Sequence, residues 1–326
     1  MATYKGIQGY TVQNLSSDPT ASEAAGRLWY NSTSGKFKLG TEGAGAWASV
    51  ASLNTARAQA TGIGTPSAAI AVKGSEPAYT ADSETWNGTT WTEGNNANAA
   101  TRNGRGTGTT TAGMTVGGWS APGGVTATEY YDGTCWSTES GTLTRGGGNQ
   151  SFGNAGASQA SAMIFGGEPG TTYWKSSETW NGTSWTEGNN LTTERQAPAG
   201  TGIVTAALCI AGAPSTNKVE AYDGTCWSET STDINTARVQ LGGSGTSTLA
   251  VVYGGSPNLG VTESFNGTTW TEVGNLGTGR MEGANAQAPT NTNVQAMYIG
   301  GQTPSYTGVV EEYTDPTYTI KTVTVS

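Results

Sequence analysis

Arginine and glutamate side chains recur along this 326-residue chain in an order that could bring guanidinium and carboxylate groups together. A pair of carboxylates can hydrolyse a glycosidic bond, and a guanidinium can hold an anionic substrate in place. Each of these arginines follows a tryptophan by 9 to 11 residues, and each glutamate lies two residues before an aromatic side chain. The candidate residues are the arginines Arg57, Arg102, Arg145, Arg195, Arg238 and Arg280 and the glutamates Glu84, Glu129, Glu178, Glu220, Glu263 and Glu311.

The regular spacing of these charges favours a structural role over a catalytic one. Successive glutamates are 45, 49, 42, 43 and 48 residues apart, whereas a catalytic site needs one asymmetric group of side chains. We therefore expect one arginine–glutamate pair, or one arginine bound to the backbone, in each repeat, and no catalytic residue. A glycosidase stays open as an alternative, because aspartate or glutamate pairs can act without histidine.

The chain offers few groups for metal or cofactor chemistry. It contains no histidine, which is the commonest general base and the commonest transition-metal ligand. Cys135, Cys209 and Cys226 lack Cys-x-x-Cys spacing, and two of them occupy a repeat position that is Thr or Ser elsewhere. We interpret them as structural thiols and expect no metal, nucleotide or other cofactor.

The glutamates belong to an eight-residue repeat whose clearest copy reads E-T-W-N-G-T-S-W at residues 178–185. Two tryptophans flank Asn181-Gly182, a dipeptide suited to a two-residue hairpin turn, so each copy predicts two strands joined by a turn. Six copies occur, and the last one, at residues 311–318, lacks Asn-Gly. A period of 42 to 49 residues in an all-strand sequence is the size of one four-stranded propeller blade.

The segments between the copies also follow one order, namely an arginine, a Gly- and Ala-rich stretch, and a short apolar strand ending in small residues, as at residues 163–167. From residue 47 to residue 326 this order resembles the repeat of kelch-type propellers. The resemblance implies an all-β fold, with a six-bladed kelch-like β-propeller over residues 47–326. Residues 1–46 lie outside the repeat and alternate like a hairpin at 26–39, so we expect an adaptor arm with a short N-terminal β-hairpin.

Closure of such a ring involves the chain ends, because an unpaired strand edge invites aggregation. There are six sets of inner strands but seven candidates for an outermost strand, including one that begins at Trp47 and one over residues 318–326. We expect the Trp47 strand to pair beside the Tyr313 strand. The C-terminal strand then either adds outside it or pairs with another subunit.

Composition excludes several classes of partner. The formal charge is −9, and nucleic-acid binding needs a basic surface that is not visible here. No stretch approaches the roughly 18 apolar residues of a membrane span, and the start of the chain lacks the pattern of a signal peptide. Only 41 residues are Leu, Ile, Val or Phe, so the 11 tryptophans and 13 tyrosines must supply much of the core.

Aromatic residues also occur in the variable loops that precede the repeated hairpins. Rings in such loops can stack on sugars or anchor protein contacts, although a loop ring often packs on its own blade. The candidates for surface binding are Tyr79, Trp119, Tyr173, Trp174 and Tyr306.

The sequence G-R-L-W-Y-N at residues 26–31, joined to kelch-like repeats, and the ending K-T-V-T-V-S are similar to virion structural proteins of tailed bacteriophages, especially those of marine bacteria. The resemblance implies a non-enzymatic tail-associated, fibre or decoration protein of the virion, assembled in the host cytoplasm. It would dock to other virion proteins through its N-terminal arm, and its free terminal strands favour a homo-oligomer. Contact with a host-surface glycan or protein is left open, and a free carbohydrate-binding propeller is the second hypothesis.

Overall fold

A computed structural model of the chain describes residues 12–20, 23–24, 26–43, 45–145, 151–168, 170, 172–287, 294–315 and 318–324. The regular structure of these residues is entirely β-strand, and they contain no helix that is long and apolar enough to span a membrane. The chain divides into two compact units, one of Met1–Gly45 with Asp315–Ser326 and one of Ala46–Thr314.

The described residues form strands that are numbered here along the chain. They are β1 (Gln13–Leu15), β2 (Leu28–Asn31), β3 (Lys36–Glu42), β4 (Ala46–Val50), β5 (Thr61–Thr65), β6 (Ala68–Ser75), β7 (Tyr79–Trp86), β8 (Trp91–Glu93), β9 (Arg105–Thr109), β10 (Ala112–Val116), β11 (Trp119–Ser120), β12 (Gly123–Gly124), β13 (Thr128–Tyr131), β14 (Trp136–Thr138), β15 (Gly153–Ser158), β16 (Ser161–Phe165), β17 (Ser177–Trp180), β18 (Trp185–Glu187), β19 (Ala199–Ile203), β20 (Ala206–Ile210), β21 (Val219–Tyr222), β22 (Trp227–Glu229), β23 (Gly242–Gly245), β24 (Ala250–Tyr253), β25 (Thr262–Phe265), β26 (Trp270–Glu272), β27 (Ala284–Gln287), β28 (Gln295–Thr303), β29 (Ser305–Thr314) and β30 (Tyr318–Thr322).

The described residues of the larger unit form six four-stranded antiparallel sheets, numbered from the sheet that begins with β5. They are β5-β6-β7-β8, β9-β10-β13-β14, β15-β16-β17-β18, β19-β20-β21-β22, β23-β24-β25-β26 and β27-β28-β29-β4. The first strand of each sheet packs against the first strand of the next, and β27 packs against β5. The sheets therefore follow one another in a closed cycle, which is a β-propeller-like arrangement.

The hydrophobic core lies between neighbouring sheets. Six clusters of buried side chains occur in the described residues, and each combines residues of two successive sheets. In one of them Trp86 and Trp91 of the first sheet pack with Met297 of the sixth. The recurring aromatic pairs thus supply the buried area that the scarce aliphatic residues lack.

The repeated hairpins contain a four-residue loop, which corrects the predicted two-residue turn. Trp180 pairs directly with Trp185, so Asn181 to Ser184 form the connection. The Asn181 Oδ1 accepts backbone N–H bonds from Thr183 and Ser184 at 2.9 Å, and Gly182 has a φ of 94°. The asparagine side chain organises this turn by hydrogen bonding, while only the glycine adopts the left-handed conformation.

The sixth sheet is closed by a strand from the start of the larger unit. β4 pairs antiparallel with β29 and places Trp47 opposite Tyr313, which confirms the predicted pairing. β30 does not follow either predicted course, because it pairs antiparallel with β3. Residues 315–326 accordingly group with the N-terminal segment instead of the predicted 47–326 domain. β4 thus stays the outermost strand of its sheet, and β30 instead covers the edge of β3.

The smaller unit is one sheet in the order β1-β2-β3-β30. On one face Trp29 is buried, and its Nε1 donates a hydrogen bond of 3.0 Å to Asp18 Oδ1. The pairing of Tyr30 with Phe37 and of Leu28 with Leu39 puts these four side chains on the opposite face. Phe37 is 47% exposed and Leu28 is 38% exposed, so that face presents apolar surface to solvent.

Candidate functional site

Each repeated glutamate holds the segment that leads into its own sheet. The carboxylate of Glu220, on β21, accepts backbone N–H bonds from Thr192 at 2.6 Å and from Thr193 at 3.2 Å. Its Oε1 also accepts a bond of 2.5 Å from Arg195 Nη2, while Arg195 Nη1 donates to the Lys218 carbonyl at 3.0 Å. Both charged side chains are buried. The pair therefore fixes the connection between two sheets.

Five of the six predicted arginines pair with the glutamate of their own repeat. The shortest nitrogen–oxygen distances are 2.7 Å for Arg57–Glu84, 3.2 Å for Arg145–Glu178, 2.5 Å for Arg195–Glu220, 3.1 Å for Arg238–Glu263 and 2.9 Å for Arg280–Glu311. Burial lowers the pKa of Arg145 to about 10, although Glu178 opposes this effect. Burial likewise lowers the pKa of Arg238, against the attraction of Glu263.

Arg102 departs from the predicted pairing, because it lies one residue beyond the position of the other arginines. The carbonyl of Thr101 accepts the Gly74 N–H at 2.8 Å, just as the carbonyl of Arg195 accepts the Gly167 N–H at 2.9 Å. Thr101 therefore occupies the arginine position of the second repeat. The cation that pairs with Glu129 is instead Lys73, whose Nζ lies 2.8 Å from Glu129 Oε1.

Lys73 belongs to the first sheet, at a position that is glycine in four other repeats. It has a φ of 64°, matching 66° at Gly117 and 65° at Gly254. Burial lowers the pKa of Lys73, and the charge and hydrogen bond of Glu129 oppose that shift. Lys73, whose backbone is in the left-handed conformation that is unfavourable for lysine, thus pairs with the glutamate as arginine does in the other repeats. Arg102 takes no part in the repeating ion pairs.

Arg102 contacts two of the predicted surface aromatics, Tyr79 and Trp119. Its backbone exchanges hydrogen bonds with Trp119, at 3.0 Å from Arg102 N to Trp119 O and 2.7 Å in the other direction. Its guanidinium carbon lies 5.2 Å from the centre of the Tyr79 ring. The Trp119 Nε1 donates to the Tyr79 hydroxyl at 3.2 Å. These three residues, all half-buried, are named here the Arg102 cluster.

A polar network continues from this cluster toward the middle of the ring. Arg102 Nη1 donates to Gln59 Oε1 at 3.3 Å, and the Gln59 amide donates to Glu282 Oε1 at 3.0 Å. Glu282 Oε1 also accepts the Gln240 amide at 2.5 Å. Burial raises the pKa of Glu282, while the Gln59 hydrogen bond and the charge of Arg102 act in the opposite direction. This arrangement is asymmetric, in contrast to the repeated ion pairs.

Backbone hydrogen bonds connect successive repeats at the same level. Gln59 N donates to Glu282 O at 2.7 Å, Asn103 N to Gln59 O at 2.8 Å, Gln240 N to Ala197 O at 3.1 Å and Glu282 N to Gln240 O at 3.2 Å. The cavity that these five residues line has a volume of about 30 Å³. A water molecule needs about 10–15 Å³, so the cavity has room for water but not for a sugar ring.

The remaining predicted aromatics have different surroundings. Trp174 packs against a core cluster, and the guanidinium carbon of Arg145 lies 5.1 Å from the centre of its ring. Tyr173 is half-buried, and Tyr306 is 39% exposed. The structure thus brings Tyr79 and Trp119 together with a cation and assigns Trp174 to packing.

Sequence reasoning missed Lys73, Gln59, Gln240 and Glu282. One signal was available in the distance from four of the six arginines to a glycine of the next strand. Gly62, Gly200 and Gly243 each follow their arginine by five residues, whereas Gly106 follows Arg102 by four. A substituent at these glycines would meet the neighbouring strand, since a Cβ on Gly62 would lie 2.3 Å from the Asn285 carbonyl oxygen. The interval from arginine to glycine therefore reveals that Arg102 is displaced by one residue, whereas the interval from tryptophan to arginine does not.

The residues that the structure describes contain no group of three or more His, Cys, Asp or Glu side chains placed to hold a metal ion. No protein family matches the sequence, and no curated protein matches it. The chain is similar in fold to the solved structure of YjhT, with a TM-score of 0.65 and 12% identity, over 83% of this chain and 99% of that one. Such low identity shows likeness of fold alone.

Proposed function

We propose that the larger unit is a six-bladed kelch-like β-propeller and that the protein is a non-enzymatic structural component of a virion. It would dock to other virion proteins through the smaller unit, which contains both chain ends. The variable loops before the repeated hairpins would face outward. The supporting observation is that the repeated glutamates all accept hydrogen bonds from backbone N–H groups and all form an ion pair with a lysine or arginine, as Glu220 does with Thr192 and Arg195. Groups held in this way are not free to transfer protons to a substrate.

The exposed apolar face of the terminal unit supports the docking role. Four of the six exposed large apolar side chains of the described residues, Val12, Leu28, Phe37 and Val323, lie in this unit. Apolar surface concentrated in one small unit is typical of an interaction site. A homo-oligomer held together by this unit is part of the proposal.

Mass spectrometry of particles purified from lysed host cells tests the virion role. We expect the chain at a fixed copy number relative to the major particle proteins, and its loss from particles when Phe37 and Leu28 are both replaced by serine. Particles without the chain would contradict the proposal. Turnover of any oligosaccharide by the pure protein would instead favour the glycosidase alternative.

The second candidate function is a carbohydrate-binding propeller. The Arg102 cluster favours it, because an aromatic pair and a cation outside the repeating ion pairs meet at half-buried positions where β7 and β11 begin. Binding on a glycan array by the isolated protein, together with its absence from particles, would support this candidate over the first.

A further inference from the structure

We propose that the Arg102 cluster binds a carboxylate-bearing saccharide, with Arg102 as the anion-binding residue and Trp119 as the stacking platform. This inference rests on the surface-binding role considered above and names the class of ligand. A saccharide is favoured over a protein partner because the cluster combines one cation with aromatic rings on a small surface.

Arg102 has hydrogen-bonding capacity to spare. Its Nη1 donates one bond, to Gln59 Oε1 at 3.3 Å, and no described residue accepts a bond from its Nη2. No described carboxylate lies within ion-pair distance of it, whereas Arg57, Arg195 and Arg280 each pair with a glutamate. A guanidinium with unused N–H groups matches the two oxygens of a carboxylate.

The cluster is held in place before any ligand arrives. The two backbone hydrogen bonds between Arg102 and Trp119 keep these residues side by side. The Tyr79 ring supports the guanidinium from one side at 5.2 Å, and its hydroxyl accepts the Trp119 indole N–H. A ligand would therefore lose little free energy in ordering these side chains.

Charge around the cluster selects the sign and the size of the ligand. The whole chain carries a formal charge of −9, so an anion is repelled by most of the surface, and this repulsion grows with the charge density of the ligand unless a cation that it can reach offsets it. The Arg102 cluster supplies one such cation. A saccharide with one carboxylate per binding unit fits this arrangement better than a densely sulfated chain.

The experiment uses the full-length protein and compares binding of oligogalacturonate with binding of the same oligomer as its methyl ester. The two ligands differ mainly in the charge of the carboxyl groups. We expect the acid to bind at least about tenfold more tightly, by calorimetry at low salt, and we expect binding to weaken as salt is added.

Variants assign that binding to the cluster. Arg102→Ala should reduce affinity for the acid by about tenfold or more, and Arg102→Lys should keep only part of it, because lysine lacks the fork of N–H donors. Trp119→Phe should weaken binding of both oligomers. Tyr306→Ala is the matched control, since Tyr306 is an exposed ring with no cation above it in the described residues, and it should bind like the parent. Thermal melting checks that Arg102→Ala is folded, and Arg102→Lys serves if it is not.

Several results would overturn the inference. They are equal binding of acid and ester, parent-like binding by Arg102→Ala, preference for a sulfated oligomer, and failure of every uronic-acid oligomer to bind. None of them bears on incorporation into particles, which the mass-spectrometric test measures separately.

Discussion

Glu220 illustrates why buried charge stabilises this ring. Removing a carboxylate and a guanidinium from water costs several kcal/mol per ion, and their attraction alone often fails to offset that cost. Here the carboxylate also accepts two backbone N–H bonds, and the guanidinium donates to the Lys218 carbonyl. The pair therefore satisfies backbone groups that would otherwise be buried without partners.

Replacement of Arg195 by alanine tests this role. Breaking a buried pair leaves Glu220 charged without its cation, and we expect a loss of about 3–5 kcal/mol in unfolding free energy, which lowers Tm by roughly 10 °C. Thermal melting followed by circular dichroism measures the change. Arg27→Ala, at an exposed position, is the control and should shift stability by less than about 0.5 kcal/mol. A parent-like melting curve for Arg195→Ala would contradict the structural role of the pair.

Glu282 predicts a pH dependence of stability. Its folded-state pKa is raised above the ordinary value by burial, against the Gln59 hydrogen bond and the Arg102 charge. The protonated form is thus favoured by folding, so this contribution to stability is present below the unfolded-state pKa and is lost as pH rises through the folded-state pKa. Glu282→Gln should therefore melt above the parent at pH 7, and the two curves should converge below about pH 4.3, the ordinary glutamate value.

The exposed Glu93 provides a control for that measurement. Glu93→Gln should leave Tm nearly unchanged at both pH values, because its side chain lies in solvent. If Glu282→Gln melted below the parent at pH 7, the hydrogen bonds of the ionised carboxylate would outweigh its burial, and the inferred sign would be wrong.

Residue types and spacing predicted five of the ion pairs but not the sixth. Arg102 follows Trp91 by 11 residues, and Arg238 follows Trp227 by the same number, so this interval could not reveal the displacement. The substitute, Lys73, comes from the preceding sheet, and only the folded ring brings it to Glu129. A side chain that reaches the glutamate from a neighbouring sheet cannot be found from residue spacing within one repeat.

At the scale of elements, the second sheet can be rebuilt to match the others. Lys73→Gly removes a lysine with a φ of 64° but leaves Glu129 without its cation, and we expect a net loss of about 3 kcal/mol or more. Adding Thr101→Arg places a guanidinium at the position used in the other repeats. The double variant should recover most of the lost stability in chemical denaturation.

Thr101→Arg in the otherwise unchanged chain is the control for this exchange. It adds a second cation where Lys73 already pairs with Glu129, so we expect it to be destabilising. If the double variant were no more stable than Lys73→Gly alone, Thr101 would not occupy the arginine position, and the assigned register would be wrong.

The repeated hairpins show where local patterns were sufficient. Alternation of aromatic and polar residues predicted both strands, and Trp180 does pair with Trp185. The turn type was wrong because the asparagine side chain can bond to the backbone N–H groups two and three residues ahead. Asp132 forms the same bonds to Thr134 and Cys135, which explains why Asp and Asn exchange at this position.

At the scale of the whole molecule, one pairing closes the cycle of sheets. The requirement that no strand edge be left open predicted that Trp47 would lie beside Tyr313. The same requirement could not tell where the last strand goes, because that depends on which edge of the smaller sheet is free. Closure was therefore predictable from the repeat count, whereas the pairing of β30 with β3 needed the folded chain.

Two shortened chains test the importance of closure. Residues 46–314 keep β4, and residues 52–314 lack it. Without β4, the edge of β29 is open and the bond of 2.9 Å from Trp47 Nε1 to Thr262 Oγ1 is lost. Loss of a fully buried tryptophan costs about 3–5 kcal/mol, and we expect a smaller loss here because Trp47 is partly buried. We expect the shorter chain to melt lower and to self-associate in light scattering, and equal behaviour of the two chains would contradict the role of β4.

Ala46 and Thr314, where the chain enters and leaves the larger unit, lie directly opposite each other in the pairing of β4 with β29. In the chain, the larger unit is therefore one continuous insertion between β3 and β30, and its first and last residues are neighbours. Recombination could replace the ring with another of different loops and leave β1, β2, β3 and β30 unchanged. A lineage of such chains could change the loops of the larger unit while keeping the sheet of the smaller unit.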